Sequence, residues 1–250
     1  MIFPVRLVTW LALAFATIVG LHAEEPSIIA RARARLASEA ILDGVTSIHY
    51  VGTLVTEDPA NSATPLRQAI EIYLQKPAQQ RIVITSDDTI EISALDGYDA
   101  WRRTIDARNP DRWQQSQMGS EQVKQLRADV WENLSFYRGI ERVGGWVKDE
   151  GVAVIDGISC RKVAFHHDDD LVYLRYFDQA SGRLVYTGTE MNNFREDGEI
   201  HAGGIRFPKS IVISQTAEGH TSKRTITFDQ ITVNERFPAS LFAVPLPTVK

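Results

Sequence analysis

The chain has 250 residues, 44% of them hydrophobic, and carries 27 basic against 32 acidic side chains, a net charge of −5. A mildly acidic chain with both charges interspersed lacks the basic patch of a nucleic-acid-binding protein. The single cysteine, Cys160, excludes an internal disulfide, a redox-active cysteine pair and a cysteine-based zinc site, and its apolar surroundings favour a buried small side chain.

The first 23 residues have the pattern of a secretory signal peptide. Arg6 is the only charged residue before Glu24, and it precedes a run of apolar and small residues, Leu7–Leu21. This run is shorter than the roughly 20 residues that a membrane-spanning helix needs. We therefore expect export and cleavage after Ala23, which leaves residues 24–250 as a single domain. An uncleaved membrane anchor is the alternative.

Two helices are predicted on either side of a group of strands. The segment Ser27–Leu42 contains no Gly or Pro, and Ser27 is expected to cap its start. The second helix begins at Ser120 and continues to about residue 135. Apolar residues recur at spacings of three and four in both segments. They are Ile29, Ala32, Leu36 and Ala40 in the first, and Val123, Leu126, Val130 and Leu134 in the second.

Eleven short segments rich in Ile, Val, Tyr and Thr are predicted to be strands. They are Ser47–Thr56, Gln68–Gln75, Arg81–Thr85, Thr89–Leu95, Ala100–Asp106, Gly151–Ile155, Ile158–His166, Leu171–Asp178, Arg183–Glu190, Ile205–Gln215 and Lys223–Val233. Turn dipeptides such as Asp156-Gly157 and Ser181-Gly182 separate them at hairpin spacing. The pattern predicts an α+β fold, mainly β, in which an antiparallel sheet of about 11 strands curls into a half-open barrel covered by the helices.

Residues 82–84, Ile-Val-Ile, are apolar on both faces of their predicted strand. A strand with one wet face would alternate apolar and polar residues instead. We therefore expect that something also covers the outer face of the sheet here, or that its inner face is incompletely filled.

The sequence lacks the common motifs of catalysis and metal binding. The serine-hydrolase elbow, the phosphate-binding loop and the His-Glu-x-x-His zinc motif are missing from the sequence. The one dense polar cluster, residues 166–170 (His-His-Asp-Asp-Asp), contains metal-ligand types, but neighbouring residues of a strand point to opposite faces. A solvated hairpin loop is the favoured interpretation. We expect no enzyme activity, no metal and no cofactor.

Short motifs in a fixed order carry a resemblance to a known family. They are Ile48–Gly52 after the first helix, Ile72–Pro77 with Arg81, Asp96-Gly97 with Trp101, Gly151-Val152 with Asp156-Gly157, Tyr176–Asp178 with Ser181–Leu184, Gly204–Pro208, and Asn234, Phe237, Leu241-Phe242 and Pro245. Their order and spacing resemble the outer-membrane lipoprotein carrier superfamily, which has the LolA-like fold, and in particular its stand-alone lipoprotein-sorting members.

The resemblance implies a monomeric periplasmic protein that shields acyl chains of lipoproteins or lipids in an apolar cavity during transit to the outer membrane. An inner-membrane exporter and an outer-membrane receptor are the implied protein partners, and the two helices are the implied lid. The expected cavity and lid residues are Leu36, Ile72, Leu74, Ile84, Ile92, Trp101, Leu126, Val130, Trp131, Leu134, Tyr173 and Phe177.

Two alternatives remain open at this stage. Members of the superfamily also include regulators of envelope-stress signalling, so the chain could be a sensor or interaction scaffold whose cavity is filled by its own side chains. The aromatic residues could simply pack the core rather than line a cavity. Those considered are Trp101, Trp113, Trp131, Trp146, Phe136, Tyr137, Tyr173, Phe177 and Tyr186.

Overall fold

The computed structural model describes residues 26–58, 64–217 and 220–245, so the predicted signal peptide lies outside the described residues. Within these ranges no helix is both long and apolar enough to cross a membrane. The elements are α1 (Ser27–Leu36), α2 (Glu39–Asp43), β1 (Ser47–Glu57), β2 (Leu66–Gln75), β3 (Gln79–Thr85), β4 (Thr89–Asp96), β5 (Asp99–Asp106), β6 (Asn109–Gln117), α3 (Ser120–Leu134), β7 (Trp146–Ile155), β8 (Ile158–His166), β9 (Val172–Asp178), β10 (Leu184–Gly188), β11 (Asn193–Asp197), β12 (Ile200–Ala202), β13 (Ile205–Phe207), β14 (Ser210–Ala217) and β15 (His220–Val233), with 3₁₀ turns at Ile140–Val143 and Ala239–Leu241.

Thirteen strands form one curled antiparallel sheet in the order β6-β5-β4-β3-β2-β1-β15-β14-β11-β10-β9-β8-β7, and β12 and β13 form a separate hairpin. The last strand pairs with the first at the centre of the sheet, where a β-bulge lies at Val51/Gly52. Gly52 is required there, because a Cβ would lie 2.2 Å from the carbonyl oxygen of Thr227. The predicted fold class, a mainly β curled sheet with few helices, is confirmed.

The described residues form fifteen strands against the eleven predicted, and the difference consists of β6, β11, β12 and one predicted strand that is divided in two. Strand β6 is almost entirely polar and exposed, so it lacks the apolar alternation that marks a strand in sequence. The predicted strand Ile205–Gln215 is instead divided at Pro208 into β13 and β14, since proline cannot donate to a strand ladder.

The predicted first helix, Ser27–Leu42, is broken into α1 and α2 at Ala37, whose backbone is extended. The break serves Arg33, which is 1% exposed. Its guanidinium donates to both carboxylate oxygens of Glu39, six residues ahead and out of reach on a continuous helix. It also donates to the carbonyl oxygen of Phe136, 2.9 Å away, beyond the end of α3. Pro26, not Ser27, occupies the N-cap position.

Helix α3 lies against the concave face of the sheet and divides the core into two clusters. One cluster joins Val130 and Leu134 of α3 to β1, β2 and β15. The other joins Trp131 to Phe165 of β8 and Phe177 of β9. The two halves of the sheet are therefore bridged by one helix.

The outer face of β3–β5 is covered by the C-terminal segment. Trp101 donates its indole N–H to the carbonyl oxygen of Phe242 at 2.9 Å, and Arg81 donates to the carbonyl oxygen of Leu241 at 3.0 Å. Val244 and Val83 both pack against the buried cluster of Ile92, Ala94 and Trp101. Of the two explanations for the apolar residues 82–84, cover on the outer face is thus found at Val83.

Candidate ligand-binding cavity

A cavity of about 530 Å³ lies between the concave face of the sheet, α3 and the end of α1. This volume falls within the roughly 300–1,000 Å³ of ligand-binding cavities in proteins. The strands supply an apolar wall because their inward positions alternate with outward ones: Ile72 of β2 pairs with Tyr50 of β1 on one side and with Ile82 of β3 on the other. Further apolar side chains of this wall are Leu74, Phe194, Ile211, Ile213, Ile226 and Phe228.

The opposite wall of the cavity is polar and is built by α3 and β9. Gln125 and Asp129 lie one turn apart on α3 and face Tyr173 of β9. The Tyr173 hydroxyl donates to Asp129 Oδ1 at 2.6 Å and accepts from Gln125 Nε2 at 2.5 Å. Burial raises the pKa of Asp129 and, together with the neighbouring Asp129, also raises that of Tyr173. We define these three residues as the α3 latch, since they join the helix to the sheet.

A buried charged group lies next to the α3 latch. Glu132 is 9% exposed, and its carboxylate contacts His167 Nε2 at 2.7 Å and the guanidinium of Arg175. Arg175 itself is 6% exposed and lies over the rings of Tyr137 and Phe165, with its Cζ 4.6 and 5.1 Å from the ring centroids. One carboxylate oxygen of Glu132 thus contacts His167 and the other forms an ion pair with Arg175. These contacts are a second connection between α3 and the sheet.

Glu196 of β11 is a carboxyl group without a hydrogen bond or ion pair to any described residue. Although its side chain is accessible to solvent, it lines the cavity rather than the outer surface. Enclosure by the cavity walls raises the pKa of Glu196 to about 7, and the opposing effect of Arg175 and Arg183 is smaller. Its cross-strand neighbour on β14 is the apolar Ile211, which offers the carboxylate no ionic partner.

The structure brings four of the twelve predicted site residues to the cavity wall, namely Leu36, Ile72, Leu74 and Tyr173. Five others fill the core between helix and sheet, namely Leu126, Val130, Trp131, Leu134 and Phe177. Ile84 pairs with Ile70 and is half-buried beyond the lining.

Ile92 and Trp101 were expected in the cavity, and their position is corrected by the structure. Both belong to the cluster under the C-terminal segment, on the outer face of the sheet. Their strands alternate, and Leu95 and Ala100 take the inward positions instead. The sequence alone does not tell which face of a strand with apolar residues on both sides points inward.

The aromatic residues divide between the cavity, the core and the surface. Phe136, Tyr137, Tyr173 and Tyr186 line the cavity. Trp131 and Phe177 pack the core, as the alternative interpretation holds. Trp113 and Trp146 are exposed by 44% and 42%.

The polar cluster at residues 166–170 does not converge on one point. His166 stacks on Trp146, with ring centroids 4.6 Å apart, whereas His167 contacts Glu132. Asp168 accepts hydrogen bonds from the backbone N–H groups of Asp170 and Leu171 and so shapes the turn. Among the described residues, no group of three or more His, Cys, Asp or Glu side chains is arranged to hold a metal ion.

Sequence reasoning missed the polar residues of the site. Asp129 and Glu132 lie three apart on the predicted second helix, next to its apolar stripe, and Tyr173, Arg175 and Phe177 alternate on one strand face. These spacings place each set on one side of its element. They do not show that the two elements meet, which depends on how the sheet curls.

Solved structures share this fold at low sequence identity. A DUF1329 family protein from Desulfovibrio piger has a TM-score of 0.56 at 10% identity, over 87% of this chain and 96% of that chain. A LolA superfamily protein from Nitrosomonas europaea has a TM-score of 0.56 at 11% identity, over 84% and 98%. A domain assigned to outer membrane lipoprotein sorting, from Vibrio parahaemolyticus, has a TM-score of 0.54 at 9% identity, over 86% and 95%.

No protein-family model matches the chain, and no curated protein matches it in sequence. At such low identity the likeness concerns the fold alone. The resemblance inferred from the sequence motifs is confirmed at this level: the chain has the LolA-like fold.

Proposed function

We propose that the protein is a periplasmic binding protein that carries acyl chains of lipoproteins or lipids in its cavity during transit to the outer membrane. The observation that carries this proposal is the cavity of about 530 Å³ with an apolar wall of strand side chains. The predicted signal peptide and the LolA-like fold support the periplasmic location. An inner-membrane exporter, an outer-membrane receptor and a monomeric state belong to the same proposal.

The energetics of such a site favour acyl chains. Each buried CH₂ group contributes about 0.8 kcal/mol and requires no hydrogen-bond partner. A palmitoyl chain would thus gain on the order of 10 kcal/mol before the entropy cost of association. That gain is enough for a protein in water to hold a lipid.

The sensor or scaffold alternative requires a cavity filled by the protein's own side chains. The open volume beside Ile72, Ile82 and Ile226 favours the carrier instead. Native mass spectrometry of protein purified from the periplasm separates the two functions. The carrier is expected to retain co-purifying lipid mass, whereas a bare chain mass supports the scaffold.

A cavity-filling substitution tests whether the acyl chain binds in this cavity. Ile72→Trp places a larger apolar side chain on the cavity wall, so the affinity for fluorescent palmitate should fall about tenfold or more. Val154→Trp is the control, because Val154 is 67% exposed on β7, outside the cavity lining. Unchanged affinity of a folded Ile72→Trp variant would contradict this location.

A further inference from the structure

A second, smaller cavity of about 230 Å³ adjoins the first. It lies between α1, the β9–β10 turn and the β11–β12 turn. Seven residues line both cavities and so form the passage between them: Leu36, Tyr137, Leu184, Glu196, Arg206, Phe207 and Pro208. Its volume is below the roughly 300 Å³ of an independent ligand site, which makes it an annex of the larger cavity.

The β9–β10 turn approaches α1 closely enough to close this annex on one side. Gly182 has a φ of +72°, and a Cβ there would lie 2.9 Å from the backbone carbon of Arg31. Glycine thus permits the approach. The next residue, Arg183, is thereby brought to the annex wall.

The annex differs from the main cavity in its charges. Its lining contains three arginines, Arg35, Arg183 and Arg206, and three acids, Glu196, Asp197 and Glu199. Glu199 is shared between Arg35 at 2.8 Å and Arg206 at 2.6 Å. Equal numbers of basic and acidic side chains therefore line the annex, next to the volume proposed for the acyl chain.

Three charged side chains of the annex, Arg183, Glu196 and Asp197, have no ionic partner among the described residues. Within the described part of the chain, Arg183 makes no hydrogen bond or ion pair through its side chain, and Glu196 makes none either. In addition, Nε of Arg206 is buried without a hydrogen-bond partner among the described residues. Arg183 and Glu196 are solvent-exposed and line the same annex without a hydrogen bond or ion pair between them, so a ligand with both charges can pair with each without breaking an existing ion pair.

We infer that the annex binds a zwitterionic head group, with a phosphate at Arg183 and Arg206 and an ammonium group at Glu196, while the acyl chain occupies the main cavity. Arginine suits phosphate because its planar N–H groups can donate in pairs. Enclosure raises the pKa of Glu196 to about 7. An ammonium group beside its carboxylate would favour the charged form. This inference rests on the proposed acyl-chain function.

Three probes with one palmitoyl chain test the head group: lysophosphatidylethanolamine, lysophosphatidylglycerol and palmitic acid, each below its micelle concentration. Their displacement of fluorescent palmitate from the mature protein is measured. We expect lysophosphatidylethanolamine to bind about tenfold tighter than the other two, as one extra charge-assisted hydrogen bond would give.

Variants assign the preference to residues. Glu196→Gln should weaken only lysophosphatidylethanolamine, whereas Arg183→Gln should weaken both phospholipids. Arg108→Gln is the matched control, since Arg108 forms an exposed ion pair with Asp88 at the β5–β6 turn, away from both cavities. Circular dichroism checks that each variant is folded.

The outcomes separate this inference from the proposed function. Equal affinity of the wild type for all three probes, or a preference that survives in both variants, would overturn the head-group site and leave chain binding intact. Failure of all three probes to bind would overturn the proposed function and this inference with it.

Discussion

At the scale of single residues, the cavity combines features that a plain hydrophobic core avoids. Arg175 and Glu132 are almost fully buried, and each is paired with the other. A buried ion pair contributes little net stability, because the desolvation of both charges offsets their attraction. The Arg175–Glu132 ion pair instead fixes where α3 lies on the sheet, and hence the shape of the polar wall.

Glu196 predicts a pH dependence of stability. The folded state holds its proton more tightly than the unfolded state, since its pKa rises from 4.5 to about 7. Between these values the folded protein binds more protons, so this group lowers the free energy of unfolding as pH rises. This destabilising contribution of Glu196 is absent below about pH 4.5 and complete above about pH 7.

The measurement is urea unfolding of the wild type and Glu196→Gln from about pH 5 to 8. The variant is expected to gain stability over the wild type as pH rises, because glutamine cannot ionise. Glu91→Gln, on β4 and outside the lining of both cavities, serves as the control and should not gain. A constant difference between the wild type and Glu196→Gln at all pH values would refute the prediction.

At the scale of elements, helix α3 is held by two kinds of contact. Val130 and Leu134 are buried in the core, whereas the α3 latch joins the helix to β9 by hydrogen bonds on the cavity wall. Tyr173 is only 5% exposed, so these hydrogen bonds are shielded from water. The latch therefore holds α3 to the sheet in addition to the apolar contacts.

Tyr173→Phe removes the hydroxyl of the latch and keeps the ring. It leaves the buried carboxyl group of Asp129 without its tyrosine donor, so we expect a loss of about 1–3 kcal/mol in the free energy of unfolding. Hydrogen exchange in α3 should accelerate more than in β1 and β15. Tyr98→Phe is the matched control, because Tyr98 is 77% exposed. Equal acceleration in every element would show that the latch does not hold α3 in particular.

Sequence patterns predicted the elements better than their faces. The period of three and four located α3 at its observed start, and turn dipeptides located most hairpins. The break after Leu36 was not visible, because Arg33 finds its partners Glu39 and Phe136 only in the folded chain. Strand alternation alone also could not show that Trp101 lies on the outer face of the sheet, because the C-terminal segment that covers it is distant in sequence.

At the scale of the whole molecule, the first and the last strand of the sheet build the same cavity. Strand β15 pairs with β1 at the centre of the sheet, so Ile226 and Phe228 lie beside Tyr50. Ile72 and Ile82 extend this wall on one side, while the polar wall comes from α3 and β9. No short segment of the chain contains the site, which explains why only four predicted residues line it.

This arrangement predicts how a bound lipid changes the whole protein. A ligand that binds only the folded state stabilises it by about 2.7 kcal/mol at a free concentration of 100 times Kd. With lysophosphatidylethanolamine, hydrogen exchange should slow in β1–β3, β15 and α3, which meet at the cavity, and remain unchanged in the edge strand β6. Ile72→Trp should show a much smaller shift in thermal midpoint at the same concentration. Protection confined to β6 and β7 would place the lipid on the sheet edges and contradict a shared cavity.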